Sequence, residues 1–115
     1  MKENINDVLI KKITEALRQV SSGLNLQDTQ IILTIPDDER FGDLSSNIAM
    51  QLSKQLKMPP RQIADKIVSF LKKDMAEDKA GLFIADIKVE GAGFINFYLQ
   101  KDYFYSLIRD LLVNK

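Results

Sequence analysis

Apolar residues recur at helical spacing in four stretches of the chain, each of which predicts an amphipathic helix. Gly23 follows the first stripe, where a helix commonly ends. Asp43 precedes the second stripe as a candidate N-cap, and Pro60 suits the first turn of the third. The predicted helices cover residues 4–22, 44–57, 60–73 and 101–113.

Three shorter runs are rich in β-formers or alternate between apolar and polar residues, as strands do. They cover residues 31–35, 84–90 and 94–99, and Gly91-Ala92-Gly93 joins the last two as a hairpin. The predicted order is therefore α-β-α-α-β-β-α. Such an order is typical of an α+β domain with helices on one face of a small antiparallel sheet, and residues 1–115 are expected to form that single domain.

The last predicted strand separates its side chains into two rows. One row is apolar and supplies the core: Ile95, Phe97 and Leu99. The other row carries Phe94, Asn96 and Tyr98, and we expect it to be solvated because the facing positions of residues 84–90 are polar. Two exposed rings with an amide between them offer what an unstacked nucleobase needs, namely a flat surface and hydrogen-bonding groups for its edge.

Each of these three side chains also has a purely structural interpretation. Phe94 would fold over the sheet edge or pack on a neighbouring domain, and Asn96 would be an exposed amide without a task. Tyr98 would lie along the stem of Lys88.

The composition removes several classes of chemistry. The 115 residues include no cysteine and no histidine, which excludes disulfides, thiolate chemistry and histidine-based triads or zinc sites. No apolar run approaches the length of a membrane span, and the first residues do not resemble a signal peptide, so we expect no membrane association and a cytoplasmic location. Paired acids such as Asp37 and Asp38 lack a recognisable base, metal ligand or nucleophile. Gly91-Ala92-Gly93 is no dinucleotide fingerprint, because a strand follows it instead of a helix.

The formal net charge is zero, but the charges are unevenly distributed. Residues 44–73 hold six Lys or Arg and one acid. Two interpretations remain open: an ordinary solvated helical face, or a weak patch facing phosphates through Lys54, Lys57 or Arg61.

Three segments carry a resemblance to a known family. Residues 41–50 (FGDLSSNIAM), 60–64 (PRQIA) and 91–97 (GAGFINF) resemble, in order and spacing, the N-terminal domain of arginyl-tRNA synthetases. Leu44 stands where that family usually has an aromatic residue, and Ala92 where proline is more frequent.

The resemblance implies an α+β domain that contacts the D-loop of tRNA-Arg. Phe94 and Asn96 occupy the motif positions that would read an exposed D-loop base in that family, whereas the resemblance assigns no role to Tyr98. The resemblance places arginine activation with ATP in a separate downstream domain. No cofactor is therefore expected in this chain, which would not aminoacylate tRNA alone and whose other partner would be the rest of the synthetase.

Two other functions stay open on sequence alone. The chain could be a structural domain whose row of Phe94, Asn96 and Tyr98 docks on the parent enzyme or on another subunit. A free-standing small regulator is the third possibility, and it rests only on the chain ending at Lys115.

Overall fold

A computed structural model of the chain describes residues 5–21, 30–77 and 84–101. Three helices and a three-stranded antiparallel sheet make up the described fold, which confirms the predicted α+β class. The elements are α1 (Ile5–Val20), a 3₁₀ turn (Glu39–Phe41), β1 (Leu44–Ser46), α2 (Ile48–Leu56), α3 (Pro60–Ala76), β2 (Ile84–Glu90) and β3 (Phe94–Leu99).

The sheet places β3 in the centre, in the order β1-β3-β2, with both pairings antiparallel. Asn96 is the midpoint of a cross-strand row, paired with Ser45 on one side and with Lys88 on the other. The inner face of β3 packs on the helices, and the predicted core residues of that strand are buried: Ile95, Phe97 and Leu99. Burial of these apolar side chains is the main term that holds the sheet on the helices.

The hairpin turn packs against the beginning of α3. Gly93 has φ +130°, and a Cβ placed there would meet Pro60 at 3.0 Å, so this close approach requires glycine. The Arg61 guanidinium donates a hydrogen bond from Nη1 to the Gly91 carbonyl at 2.7 Å. These contacts fix the turn, and therefore the start of β3 at Phe94, relative to α3.

The second predicted helix begins later than its apolar pattern indicated. Leu44 belongs to β1, where it pairs with Phe97, and α2 begins at Ile48. The apolar spacing wrongly extended the predicted helix back to Leu44, because buried strand residues and the buried face of a helix are both apolar. Asp43 is not an N-cap: its backbone N–H donates to the Phe97 carbonyl at 2.8 Å, and its carboxylate accepts from the Leu99 N–H at 2.7 Å.

The other predicted elements differ in smaller ways. Helix α1 and the β2–β3 hairpin agree with prediction, and α3 continues to Ala76 instead of ending near residue 73. The strand predicted at residues 31–35 is wrong as a strand, since the segment contributes one isolated bridge, Thr34 to Ser45. The helix predicted at 101–113 lies outside the described residues apart from Lys101. In the described ranges, no helix is long and apolar enough to cross a membrane.

We predict that Gly42→Ala destabilises the fold by about 1–3 kcal/mol, because Gly42 adopts φ +95° and a Cβ there would lie 2.8 Å from the Phe97 carbonyl oxygen. Urea unfolding of the purified chain measures the effect. The matched control is Gly91→Ala, where φ is +57° and the nearest neighbour is the Phe94 ring at 3.7 Å. Equal losses in the two variants would contradict the close approach of Gly42 to β3.

Candidate functional site

The outer row of β3 is less open to solvent than its sequence pattern predicted. The Phe94 residue is 44% exposed, as expected, but Asn96 is only 2% exposed and Tyr98 is half-buried. The expectation that Asn96 is solvated was therefore wrong. Its burial arises because the segment around Gly42 folds over the sheet: a Cβ on Gly42 would lie 3.5 Å from the Asn96 Cβ.

The Asn96 amide has one buried partner. Ser45 Oγ donates a hydrogen bond to Asn96 Oδ1 at 2.7 Å, directly across the β1–β3 pairing. The Asn96 Nδ2 group makes no hydrogen bond within the described residues. Every buried side-chain nitrogen and oxygen of the described residues has a hydrogen-bond partner, so the unbonded Nδ2 atom keeps some contact with solvent. This donor is therefore available to a ligand.

Tyr98 holds the loop that precedes Gly42 against the sheet. Its hydroxyl donates to the Arg40 carbonyl at 2.7 Å, and Lys88 Nζ lies 5.1 Å from the centre of its ring. Partial burial, together with the nearby carboxylates of Glu90, Asp86 and Asp43, raises the pKa of the Tyr98 phenol, so the hydroxyl stays protonated as a donor. The alternative in which the Tyr98 ring lies along Lys88 matches this geometry.

A cavity of about 400 Å³ opens beside Phe94. Its walls combine apolar rings with a few polar groups, chiefly Pro36, Phe41, Ser45, Glu90, Phe94 and Asn96. Both phenylalanine residues are nearly half exposed. A concave, mostly apolar site with a small number of hydrogen-bonding groups is the usual form of a binding pocket for a flat organic group.

Phe41 belongs to this site although the sequence reasoning did not single it out. It ends the 3₁₀ turn, and the Arg40 guanidinium carbon lies 6.0 Å from the centre of its ring. Arg40 is in turn held by Asp38, whose carboxylate accepts from the Arg40 backbone N–H and from its guanidinium; this pairing lowers the pKa of Asp38. An aromatic residue directly before Gly42, in an otherwise charged loop, was the signal that could have identified it.

The predicted basic residues reach the cavity to different degrees. Arg61 is beside it, since its guanidinium holds the carbonyl of Gly91, a residue that lines the cavity. Lys54 and Lys57 are exposed at the end of α2, and in the described residues neither makes a hydrogen bond or ion pair with the cavity walls. Of the six predicted site residues, the structure therefore brings together Phe94, Asn96 and Arg61, with Tyr98 supporting the loop behind them.

The site holds no catalytic constellation that we recognise. Across the described ranges, no three or more acids cluster in a way that could hold a metal ion, and the chain has no histidine or cysteine to add. The geometry is suited to binding.

The family model and similar curated proteins point to the same protein family. The family model for the arginyl tRNA synthetase N terminal domain matches residues 7–99. An arginine–tRNA ligase of Listeria welshimeri is 40% identical over 104 residues, covering 90% of this chain and 18% of the relative. The corresponding ligase of Bacillus subtilis is 36% identical over 110 residues, covering 96% of this chain and 19% of the relative. The chain thus spans less than a fifth of the length of these relatives.

Solved structures share the fold at lower sequence identity. The arginyl-tRNA synthetase of Thermus thermophilus matches with a TM-score of 0.65 at 23% identity, over 96% of this chain and 16% of that one. The Plasmodium falciparum arginyl-tRNA synthetase matches with a TM-score of 0.67 at 20% identity, over 95% of this chain and 18% of that one.

We predict that Ser45→Ala lowers the free energy of unfolding by about 1–3 kcal/mol, because it leaves the buried Asn96 oxygen without its donor. Chemical denaturation of the purified chain measures the loss. Ser69→Ala, at an exposed position of α3, is the control and should change stability by less than about 0.5 kcal/mol. A Ser45 variant as stable as the Ser69 variant would show that the Ser45–Asn96 bond contributes nothing.

Proposed function

The chain belongs to the family of arginyl-tRNA synthetase N-terminal domains, and we propose that it binds the D-loop of tRNA-Arg through the cavity beside Phe94. An unpaired D-loop base enters this cavity and stacks on the Phe94 ring. The Asn96 Nδ2 group donates to an acceptor on the edge of the base. Sequence-specific RNA recognition commonly takes this form, with a splayed base on an aromatic ring and its edge hydrogen-bonded.

The observation that carries the proposal is the combination of exposed rings and an unused donor around one cavity. Phe94 and Phe41 offer ring surface, and Asn96 offers an amide nitrogen without a partner in the described part of the chain. Phe94 and Asn96 lie on the central, doubly paired strand, and the loop that carries Phe41 is hydrogen-bonded to that strand. Because little is left to order on binding, the cost in conformational entropy is small.

The charges around the cavity favour a base inside it and phosphates outside. The Glu90 carboxylate lines the wall and repels an anion within the cavity. Arg61 stands at the hairpin turn, and Lys54 and Lys57 are exposed on the preceding helix, where they can attract the RNA backbone. Tyr98 contributes indirectly, by holding the Arg40 carbonyl and so the loop that carries Phe41.

We further propose that the chain is the N-terminal region of a longer arginine–tRNA ligase of the cytoplasm. Its length relative to the Listeria and Bacillus ligases supports this assignment. The remainder of such an enzyme would bind ATP, activate arginine and transfer it to tRNA, while this domain holds the outer corner of the tRNA. The chain itself supplies recognition and no chemical step.

A docking role is the second candidate. Four large apolar residues are between 44% and 48% exposed on the described surface: Ile32, Ile35, Phe41 and Phe94. The overall charge of the chain is zero, which suits a protein surface as well as an RNA. In this alternative the same rings pack on the rest of the parent enzyme or on another subunit.

We predict that Phe94→Ala weakens binding of the chain to a tRNA-Arg transcript by about 5- to 150-fold, the cost of about 1–3 kcal/mol for a lost base–aromatic stack. Fluorescence anisotropy at low salt measures the affinity. Phe94→Tyr keeps the ring and should bind like the unchanged chain.

A thermal melt of the full-length protein separates the two candidates. The tRNA role predicts a weakened affinity with an unchanged melting temperature. An unchanged affinity together with a lowered melting temperature would overturn tRNA binding at Phe94 and support docking.

A further inference from the structure

A second, smaller cavity also borders Phe94. Its volume is about 220 Å³, and it is lined by Ile32, Thr34, Ser45, Asn47, Gln51 and Phe94. Thr34, Ser45 and Phe94 line both cavities, whereas the other lining residues of the smaller cavity do not border the larger one. Phe94 therefore lines both cavities.

Two amide side chains form the polar wall of this second cavity. Gln51 Nε2 donates a hydrogen bond to Asn47 Oδ1 at 2.7 Å, across one turn of α2. The pair leaves Asn47 Nδ2 as a donor and Gln51 Oε1 as an acceptor, neither of which has a partner among the described residues. A neighbouring donor and acceptor are what is needed to bond two adjacent positions on the edge of a base.

The Asn47 side chain does not cap α2, although Asn47 occupies the N-cap position. Asparagine is a preferred N-cap because its side chain can accept from the first free N–H groups of a helix. Asn47 is the N-cap of α2, yet its side chain makes no capping bond. The hydroxyl of Ser46 accepts from the Ile48 N–H instead. Since the cap is provided by its neighbour, the Asn47 amide is free to face the cavity with Gln51.

We propose that this second cavity binds the nucleobase adjacent in the RNA strand to the one in the first cavity. The inference rests on the proposed function and deepens it, because the recognised unit becomes two consecutive unpaired nucleotides separated by the Phe94 ring. Ile32 supplies an apolar floor, Phe94 the stacking surface, and the Asn47–Gln51 pair the hydrogen bonds to the base edge. Neighbouring bases of an unpaired loop are joined by one phosphate, so occupation of the first cavity brings the second base to this site at high effective concentration.

The test is a set of tRNA-Arg transcripts in which each unpaired D-loop nucleotide in turn is replaced by an abasic residue. Affinities are measured by anisotropy for the 115-residue chain and for its Gln51→Ala and Asn47→Ala variants. Gln51 is an exposed helical position, where alanine is well tolerated. Gln62→Ala, at an exposed glutamine of α3 that lines neither cavity, is the matched control.

The unchanged chain should lose affinity by about fivefold or more at each of two adjacent positions, one stacked base being lost in each case. The Gln51 and Asn47 variants should lose sensitivity to one of these positions and keep it at the other, whereas the Gln62 variant should match the unchanged chain. Sensitivity at one position only, with unaltered profiles in both cavity variants, would overturn the second subsite and leave the proposed function standing. Insensitivity at every position would overturn the proposed function and the second subsite together.

Discussion

The outer face of the sheet depends on how Asp43 completes the hydrogen bonding of β3. Strand β1 contains three residues and β3 six, so part of the central strand extends beyond its short neighbour. The Asp43 N–H bonds the Phe97 carbonyl, and its carboxylate bonds the Leu99 N–H, so both backbone groups of the buried strand are satisfied. This pairing brings Gly42 against Asn96, and the loop before Gly42 then carries Phe41 to the cavity wall.

Because the Asp43 segment covers only part of β3, the three outer side chains of this strand have different environments. Tyr98 lies under the loop and holds it through the Arg40 carbonyl, whereas Asn96 is covered by Gly42 and bonded to Ser45. Phe94, at the beginning of the strand, lies beyond the cover and keeps a large exposed ring. A single alternating strand thus provides an anchor, a buried hydrogen-bonding group and an exposed aromatic residue.

Sequence reasoning predicted the parts of this fold that follow from local periodicity. Helices α1 and α3 and the β2–β3 hairpin have strong repeating patterns, and the alternation along residues 94–99 correctly separated the core row from the outer row. The pattern could not reveal β1, because three residues are too few for alternation to be distinguished from a helical stripe at Leu44. The burial of Asn96 was also beyond local reasoning, since it results from a loop that lies some fifty residues earlier in the chain. Phe41 and the Asn47–Gln51 pair became visible as site residues only when the cavities placed them beside Phe94.

The central claim, that Phe94 and Phe41 bind RNA bases, is tested most directly by NMR of the chain labelled at its phenylalanine rings and backbone amides and titrated with a tRNA-Arg transcript. Stacked bases shift the resonances of the rings they contact. The account predicts the largest shifts at Phe94 and Phe41 and the smallest at the fully buried Phe97. Shifts confined to the exposed basic residues of α2 and α3, with the Phe94 ring unperturbed, would contradict it and would reduce the interaction to attraction of the RNA backbone.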